Sequence, residues 1–283
     1  MDGHTEGMSS YTLTRIVLYP VKSFSGLGVP KWEMDECGLK YDRRWIVINE
    51  SGKFQSQRQF PEMSLFGATI EGKYLRLNHA TEPVNFLDIP LDLVPDQEME
   101  LSVWKKKCQA LIYDHRVNDW ISGHLGASLK LAMLKPGSFR TSDGDGETRN
   151  HRIAFSDGFP FHITGWSSLD ALNERLGFEV SMNRFRPNFV FSGGEPFEED
   201  SWNEIRIGKH TFFAVQACDR CILVNVDQQT GQAMNQPLGV LSEFRKSEGK
   251  IYFGQNLSGP VSGWIETGSS IEVISKKTPV MSH

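Results

Sequence analysis

The apolar positions of this chain fall in short runs rather than in long helical stripes. Tyr11 to Tyr19 (YTLTRIVLY) alternates apolar and polar positions over a length that suits one strand. Pro20 interrupts it, Gly26 and Gly28 follow, and Trp32-Glu33-Met34 leads to a turn around Gly38. Arg43 to Ile48 reads as a further strand. Asn49-Glu50-Ser51-Gly52 is a hairpin-like turn, so Lys53 to Arg58 is expected as its second arm. From residue 64 to 113 the pattern continues as LFGATI, YLRLN, LDLVP, ELSVW and ALIYD, broken by Gly, Asn and Pro. Short strands at this spacing predict a barrel or a sandwich.

Near residue 114 the period changes. Val117, Trp120, Ile121 and Leu125 share one face of a helix, and Gly126 is its stop. Leu129 to Leu134 returns to strand. Lys135 to Arg152 is rich in Gly, Ser, Asp and Thr, which marks a linker. The expected organisation is a flexible tail over 1–10, a β-barrel-like domain over 11–135, a linker over 136–152, a second β domain over 153–276 and a tail over 277–283. The second domain is expected to hold a helix with Ser167 as N-cap, stopped by Gly177, and a strand Phe189-Val190-Phe191 behind Pro187. An acidic turn at Glu198 to Trp202, a short helix over Leu238 to Lys246 and a strand over Ser270 to Ser275 complete it. The fold class is mainly β, of the α+β kind, with a few short helices.

One stretch of the second half carries chemistry. Phe212 to Asp227 (FFAVQACDRCILVNVD) sets Cys218 and Cys221 between two apolar runs rich in aromatic and β-branched residues, and both runs are expected as buried strands. The cysteines would then stand at the mouth of a strand connection, on a rigid scaffold and open to a ligand. Arg220 beside them favours the thiolate, the form that binds soft metals or attacks electrophiles. Three readings stay open on these residues alone. A thioredoxin-like site needs a helix after the motif. A zinc site needs two more ligands, and Cys37 and Cys108 are far off in the chain. Two ordinary core cysteines need nothing more.

Composition narrows the setting. The 283 residues suffice for one large or two ordinary domains, and 39% hydrophobic with 23% charged positions is the balance of a globular protein. A net charge of -5 argues against nucleic acid or an anionic membrane as partner. No run of about 18 apolar residues is present, as a spanning helix would need. The opening MDGHTEGMSS has neither the basic nor the apolar segment of a secretory signal. Four cysteines in a chain this long make no disulfide framework, so a reducing, cytoplasmic setting is expected.

Six blocks, taken together, resemble the MOSC-domain proteins: YPVKS at 19–23, DRRWIVIN at 42–49, FSDGFPF at 155–161, FRPN at 185–188, EDSW at 199–202 and ACDRCILVNVDQQTG at 217–231. They stand in the family's order and span nearly the whole chain. The likeness is to the two-domain branch that includes the mitochondrial amidoxime-reducing component and its bacterial relatives. It implies an N-terminal MOSC β-barrel domain, a C-terminal MOSC β-barrel domain, and a molybdenum–pterin cofactor (molybdopterin) held between them. It implies further that Cys221 ligates molybdenum, with Cys218 behind it and the backbone of Cys218 and Asp219 near the pterin. Lys22, Ser23, Arg43 and Arg186 match positions that contact the cofactor's anionic end, where a phosphate tail needs cations and forked donors. Asp157 matches an acidic position on the open side of the metal, from which it would assist proton transfer. Its other reading is a turn residue ahead of Gly158.

Departures from the mitochondrial relatives matter too. Gly158 and Phe159 stand where those relatives carry small hydroxyl residues, so backbone contacts to the cofactor are expected in place of side-chain ones. Asn256 stands where they carry an aromatic residue, which predicts a differently shaped substrate pocket. The implied activity is that of a molybdenum-dependent oxidoreductase that reduces N-hydroxylated or N-oxygenated compounds, such as hydroxylamines or amidoximes. Some bacterial relatives carry a C-terminal ferredoxin domain. No such cysteine cluster precedes His283, so electrons are expected from a separate ferredoxin-, flavodoxin- or cytochrome-type protein. The competing expectation is non-redox: a carrier of the cofactor, or of a persulfide sulfur on Cys221.

Overall fold

The computed structural model describes residues 11–142 and 151–281. The expected tail 1–10, most of the expected linker (143–150) and residues 282–283 lie outside the described residues. The fold is mainly β, as the short apolar runs predict.

Seven strands close into a barrel. Their order is Phe161–Gly165, Phe189–Ser192, Tyr11–Leu18, Ser270–Lys276, Trp202–Ile207, His210–Asp219 and Lys250–Ser258, and the last returns to pair with the first. Neighbours are antiparallel except the first two, which run parallel. Closure leaves no open edge for unwanted pairing. Alternation fills the barrel: Trp202, Ile205 and Ile207 are buried along one strand, and Tyr11, Leu13, Phe161, Phe189 and Phe212 join them in one apolar cluster. The rings of Phe161, Phe189 and Phe212 meet with centroids 5.3 to 5.6 Å apart. Helix α1, His115–Leu125, belongs to the first half, while α2, Trp166–Leu176, and α3, Leu238–Phe244, pack into a second cluster against Val190 and Phe253.

The two halves of the chain interleave. The strand Tyr11–Leu18 is a member of the C-terminal barrel, and Lys31–Asp35 pairs with Gly263–Glu266. Gly38 seals the crossing: its φ is +114°, and a Cβ there would stand 2.7 Å from the Pro160 carbonyl oxygen. The rest of the first half is a four-stranded sheet, in the order Trp45–Asn49, Leu129–Leu134, Lys106–Ile112 and Gln97–Val103, beside a meander of Phe66–Glu71, Tyr74–His79 and Glu82–Pro90. Helix α1 has Asp114 as its N-cap, accepting from the Val117 amide at 3.3 Å, and stops at a left-handed Gly126. Among the described residues no helix is long and apolar enough to cross a membrane.

Several local expectations need correction. Ile222 to Val226 is not a strand: Ile222–Asn225 is a 3-10 turn, with Ile222 59% exposed and Val224, Asn225 and Val226 buried in succession. A short apolar run has no period to tell a buried strand from a buried turn. Lys53 to Arg58 forms no hairpin arm beyond one bridge, Ile48 with Phe54. Leu91 to Pro95 is loop, with Leu93 and Val94 exposed; the strand there is Glu82–Pro90, which buries Leu87 and Ile89. The N-cap of α2 is Gly165, since Ser167 donates instead to the Glu195 carbonyl and Ser168 to Glu199. The described ends of the expected linker pair with each other, Arg140–Thr141 against Arg152–Ile153.

Candidate functional site

One cleft takes its walls from both halves of the chain. The first wall is two loops that zip together. The Arg43 amide donates to the Tyr19 carbonyl at 2.8 Å, the Lys22 amide to the Trp45 carbonyl at 2.8 Å, and the Tyr19 amide to Asp42 Oδ1 at 2.7 Å. The turn of each loop is left-handed at a residue with a side chain: φ is 72° at Ser23 and 49° at Arg43, and Arg186 on the facing segment has 52°. Such a conformation costs about 1–3 kcal/mol at each position and persists where its surroundings enforce it. All three residues line the cleft.

The cations of this wall are held tightly. The guanidiniums of Arg43 and Arg186 lie over the Tyr19 ring at 4.5 and 4.2 Å. Arg43 pairs with Asp42 at 2.5 Å and donates to Asn188 Oδ1 at 3.3 Å. Burial works against its charge, but Asp42 and Tyr19 outweigh burial and hold its pKa above the usual range. Arg186 donates to the Phe24 carbonyl at 2.7 Å, while its Nη2 is buried without a partner. Burial pushes Arg186 down to about 10. Lys22 donates to the Phe155 carbonyl at 2.9 Å and to Asp157 at 2.6 Å; burial lowers its pKa and Asp157 opposes that.

The cysteines stand across from these loops. The strand His210–Asp219 shifts register twice near its end, between Ala214 and Gln216 and between Ala217 and Asp219. Bulges of this kind turn a side chain toward a site. Cys218 is therefore on the strand itself rather than at a loop mouth, and Cys221 caps the 3-10 turn beyond it. Arg220 is the partner of Cys218, at 2.7 Å from Nη1 to Sγ, and it also donates to the Phe185 carbonyl. Burial still pushes the Cys218 thiol up, with Arg220 opposing. The expected influence of Arg220 on the motif thus falls on the first cysteine. Cys221 takes its guanidinium from Arg58, whose Nη2 lies 3.0 Å from Sγ.

Asp157 is exposed at the mouth, where it binds Lys22 and accepts from the Trp104 indole N–H at 2.7 Å. Desolvation opposes its charge, but Lys22, the hydrogen bonds from Lys22 and Trp104, and Arg43 hold its carboxyl well below the usual carboxylate range. Lys22 and the Trp104 indole thus hold Asp157 in place at the cleft mouth. Gly158, Phe159 and Asn256 line the cleft as expected. Asp219 does not: it is exposed at the strand end, outside the lining.

Other contributors escape sequence reading. Arg58 and Trp104 come from a loop and a hairpin tip. Arg140 is buried and donates to the Ala154 and Ser156 carbonyls at 3.1 and 2.7 Å, pinning the segment that carries Asp157. His162, paired in register with Asn256, is pushed well below the usual histidine range by burial, with Arg220 acting the same way, and is neutral. Arg184 lines the far end and pairs with Asp227 at 2.7 Å. In total Lys22, Arg43, Arg58, Arg184, Arg186 and Arg220 line the cleft against one carboxylate, Asp157. Such a surface binds anions.

The metal readings can now be separated. Among the described residues no group of three or more His, Cys, Asp and Glu side chains could hold a metal ion, so no zinc site of protein ligands assembles. Cys37 and Cys108 pack in one apolar cluster that contains neither Cys218 nor Cys221. The motif is followed by a single 3-10 turn rather than the helix of a thioredoxin-like site. What remains is two partly accessible sulfurs, Cys218 and Cys221, beside a polycationic trough with buried donors left over. A sulfur-rich metal group with an anionic tail fits both features: a cysteine sulfur supplies a soft ligand, and Arg186 Nη2 a donor without an acceptor.

Comparison with known proteins follows the same division of the chain. Residues 10–128 match the MOSC N-terminal beta barrel domain, and residues 150–272 match the MOSC domain. Mitochondrial amidoxime-reducing component 1 of Mus musculus is 33% identical over 284 residues, covering 93% of this chain and 82% of its own length. The Homo sapiens protein of that name is 32% identical over 289 residues, covering 93% and 83%. Molybdenum cofactor sulfurase of Oryza sativa subsp. japonica is 30% identical over 269 residues, 88% of this chain but 32% of its own length. The chain thus spans about a third of the sulfurases that it matches.

Proposed function

The chain belongs to the MOSC family, with both the N-terminal beta barrel domain and the MOSC domain, and from that premise we propose that it reduces N-oxygenated compounds on a molybdenum–pterin cofactor, with electrons from a separate protein. One observation carries the reading. Cys221 meets Lys22, Arg43 and Arg186 in one cleft, and Arg186 keeps a buried donor with no acceptor. Amidoxime reduction appears in the names of relatives that cover most of the chain, which supports the choice of substrate class.

When bound, the cofactor supplies two-electron exchange coupled to transfer of an oxygen atom. The residues of this chain do the rest. Cys221 offers its thiolate from the cap of a turn, fixed by the strand before it. Lys22, Arg43 and Arg186 hold the anionic end, with the left-handed backbone at Ser23, Arg43 and Arg186 aiming them. Gly158, Phe159 and Asn256 line the cleft beside them. Asp157 orients Lys22 and Trp104 at the open mouth, where it and water stand on the path of protons to the site. A hydroxylamine takes up two electrons and two protons and yields an amine and water.

The test is reduction of an aromatic amidoxime by cofactor-loaded protein with a reduced viologen as donor. Wild type should form the amidine, and Cys221→Ser should lose about a hundredfold or more in rate. Full activity in Cys221→Ser would refute the reading. A loaded protein that reduces nothing would transfer the case to sulfur carriage, read as persulfide on Cys221 after treatment with a cysteine desulfurase.

A further inference from the structure

The cleft cations divide by their partners. Lys22 is paired with Asp157, Arg43 with Asp42 and Arg184 with Asp227. Among the described residues no carboxylate lies within ion-pairing distance of Arg58, Arg186 or Arg220, and of these three Arg58 alone is exposed. Its partners are the sulfur of Cys221, 3.0 Å from Nη2, and the Trp104 ring, 5.0 Å from Cζ.

Trp104 is a fixed seat. It forms, with Lys105, the tip of the hairpin between Gln97–Val103 and Lys106–Ile112, and φ is positive at both, 51° and 69°. This is the two-residue turn that matches the twist of paired strands. The indole N–H donates to Asp157 at 2.7 Å, and the ring meets Phe54 edge-on at 5.4 Å. A guanidinium stacked on a ring held from the hairpin, from Asp157 and from Phe54 has little freedom to swing away.

We propose that Arg58, seated on Trp104, makes the reactant site at Cys221 selective for anions, so that the favoured N-oxygenated substrates carry a carboxylate or a comparable acid group. The inference rests on the reading of Cys221 as the thiolate beside the reacting centre. When that sulfur is engaged elsewhere, Arg58 is left with forked donors and no acceptor of its own. A planar carboxylate matches the fork, and a cationic reactant would meet a like charge without relief. The other charges agree, since Asp157, the one lining carboxylate, is already bound by Lys22 and Trp104.

The test needs no metal. Full-length metal-free protein is treated with iodoacetate, which is anionic, or iodoacetamide, which is neutral and of similar size. Each forms a carbon–sulfur bond at the thiolate with loss of iodide, so the thiolate fraction cancels in the ratio of the two rates. Trypsin cuts after Arg220 and separates Cys218 from Cys221, and mass spectrometry then reads each cysteine by itself. Relative to glutathione, the iodoacetate-to-iodoacetamide ratio at Cys221 should fall about fivefold in Arg58→Gln, stay mostly intact in Arg58→Lys and fall about twofold in Trp104→Leu. The ratio at Cys218, which faces Arg220, should not move. An unchanged ratio at Cys221 in Arg58→Gln would overturn the proposal. Molybdenum content of the same variants is measured separately, so loss of selectivity and loss of the cofactor reading are distinguishable. In the loaded enzyme, the kcat/KM ratio of an acid-bearing to a neutral amidoxime should fall in the same order, and equal ratios in wild type and Arg58→Gln would contradict it.

Discussion

Two clusters of charged side chains in this protein are built on opposite plans. Beside the barrel helices, Glu199, Asp200 and Arg245 are almost wholly buried, and protein groups answer each of them. Arg245 pairs with Asp200 and donates to the Tyr252 carbonyl at 3.2 Å, while Gln255 donates to the other Asp200 oxygen at 3.0 Å. Glu199 accepts from the Ser168 hydroxyl at 2.9 Å and from the Gly165 amide at 3.2 Å. In the cleft, Arg186 Nη2 and Arg220 Nε are buried without partners, and Arg58 has no carboxylate. The first cluster closes on itself and fixes the fold. The second holds charge open, a costly arrangement unless a ligand completes it. Both clusters contain blocks that resemble the family, so the blocks alone do not tell a site from a scaffold. What separates these two clusters is how completely their charged groups are hydrogen-bonded.

Removing one partner should separate the clusters most sharply. Arg245→Met takes the guanidinium from the buried Asp200, and urea unfolding should report a loss of about 3–5 kcal/mol. Arg186→Met removes a buried charge whose donors are incompletely met, and should shift the same measurement by less than about 1 kcal/mol. Equal losses would erase the distinction.

A smaller effect sharpens the closed cluster. Burial, with Asp200 beside it, raises the Glu199 pKa from 4.5 to about 7. The folded chain then binds more protons than the unfolded one between those values, so this contribution is full below pH 4.5 and is lost as pH rises through about 7. The swing should be at most about 3 kcal/mol, and Glu199→Gln should flatten it and stabilise the protein above pH 7. A Glu199→Gln variant whose urea midpoint keeps the wild-type slope from pH 5.5 to 8.5 would show that another group titrates.

The barrel was legible in part because alternation along Tyr11–Leu18 and Ser270–Lys276 matches one buried face, while the strand Trp202–Ile207 lay behind what read as an acidic turn. Sequence reading failed where period was absent or masked. Ile222 to Val226 is uniformly apolar, and Glu82–Pro90 hides its buried Leu87 and Ile89 behind an exposed Pro83 and Asn85. Lys22, Ser23, Arg43, Arg186 and Cys221 were readable from local blocks and converge as expected. Arg58 and Trp104 were not. Arg58 follows a polar loop, and the Trp104-Lys105 tip takes positive φ without the Gly or Asn that signals such a turn. The Lys22–Asp157 pair was equally hidden, because its partners lie 135 positions apart in the chain.

The central claim is that the open cluster is completed by a molybdenum–pterin group ligated at Cys221. Its most direct test is molybdenum and pterin content of protein purified from a host that makes the cofactor, with wild type beside Cys221→Ser and Arg186→Met. Wild type should hold molybdenum and pterin close to stoichiometrically. Cys221→Ser should lose most of the metal, and Arg186→Met should lose pterin, while cofactor-free Arg186→Met unfolds within about 1 kcal/mol of cofactor-free wild type. Wild type without molybdenum from a competent host, or Cys221→Ser with as much as wild type, would contradict the account.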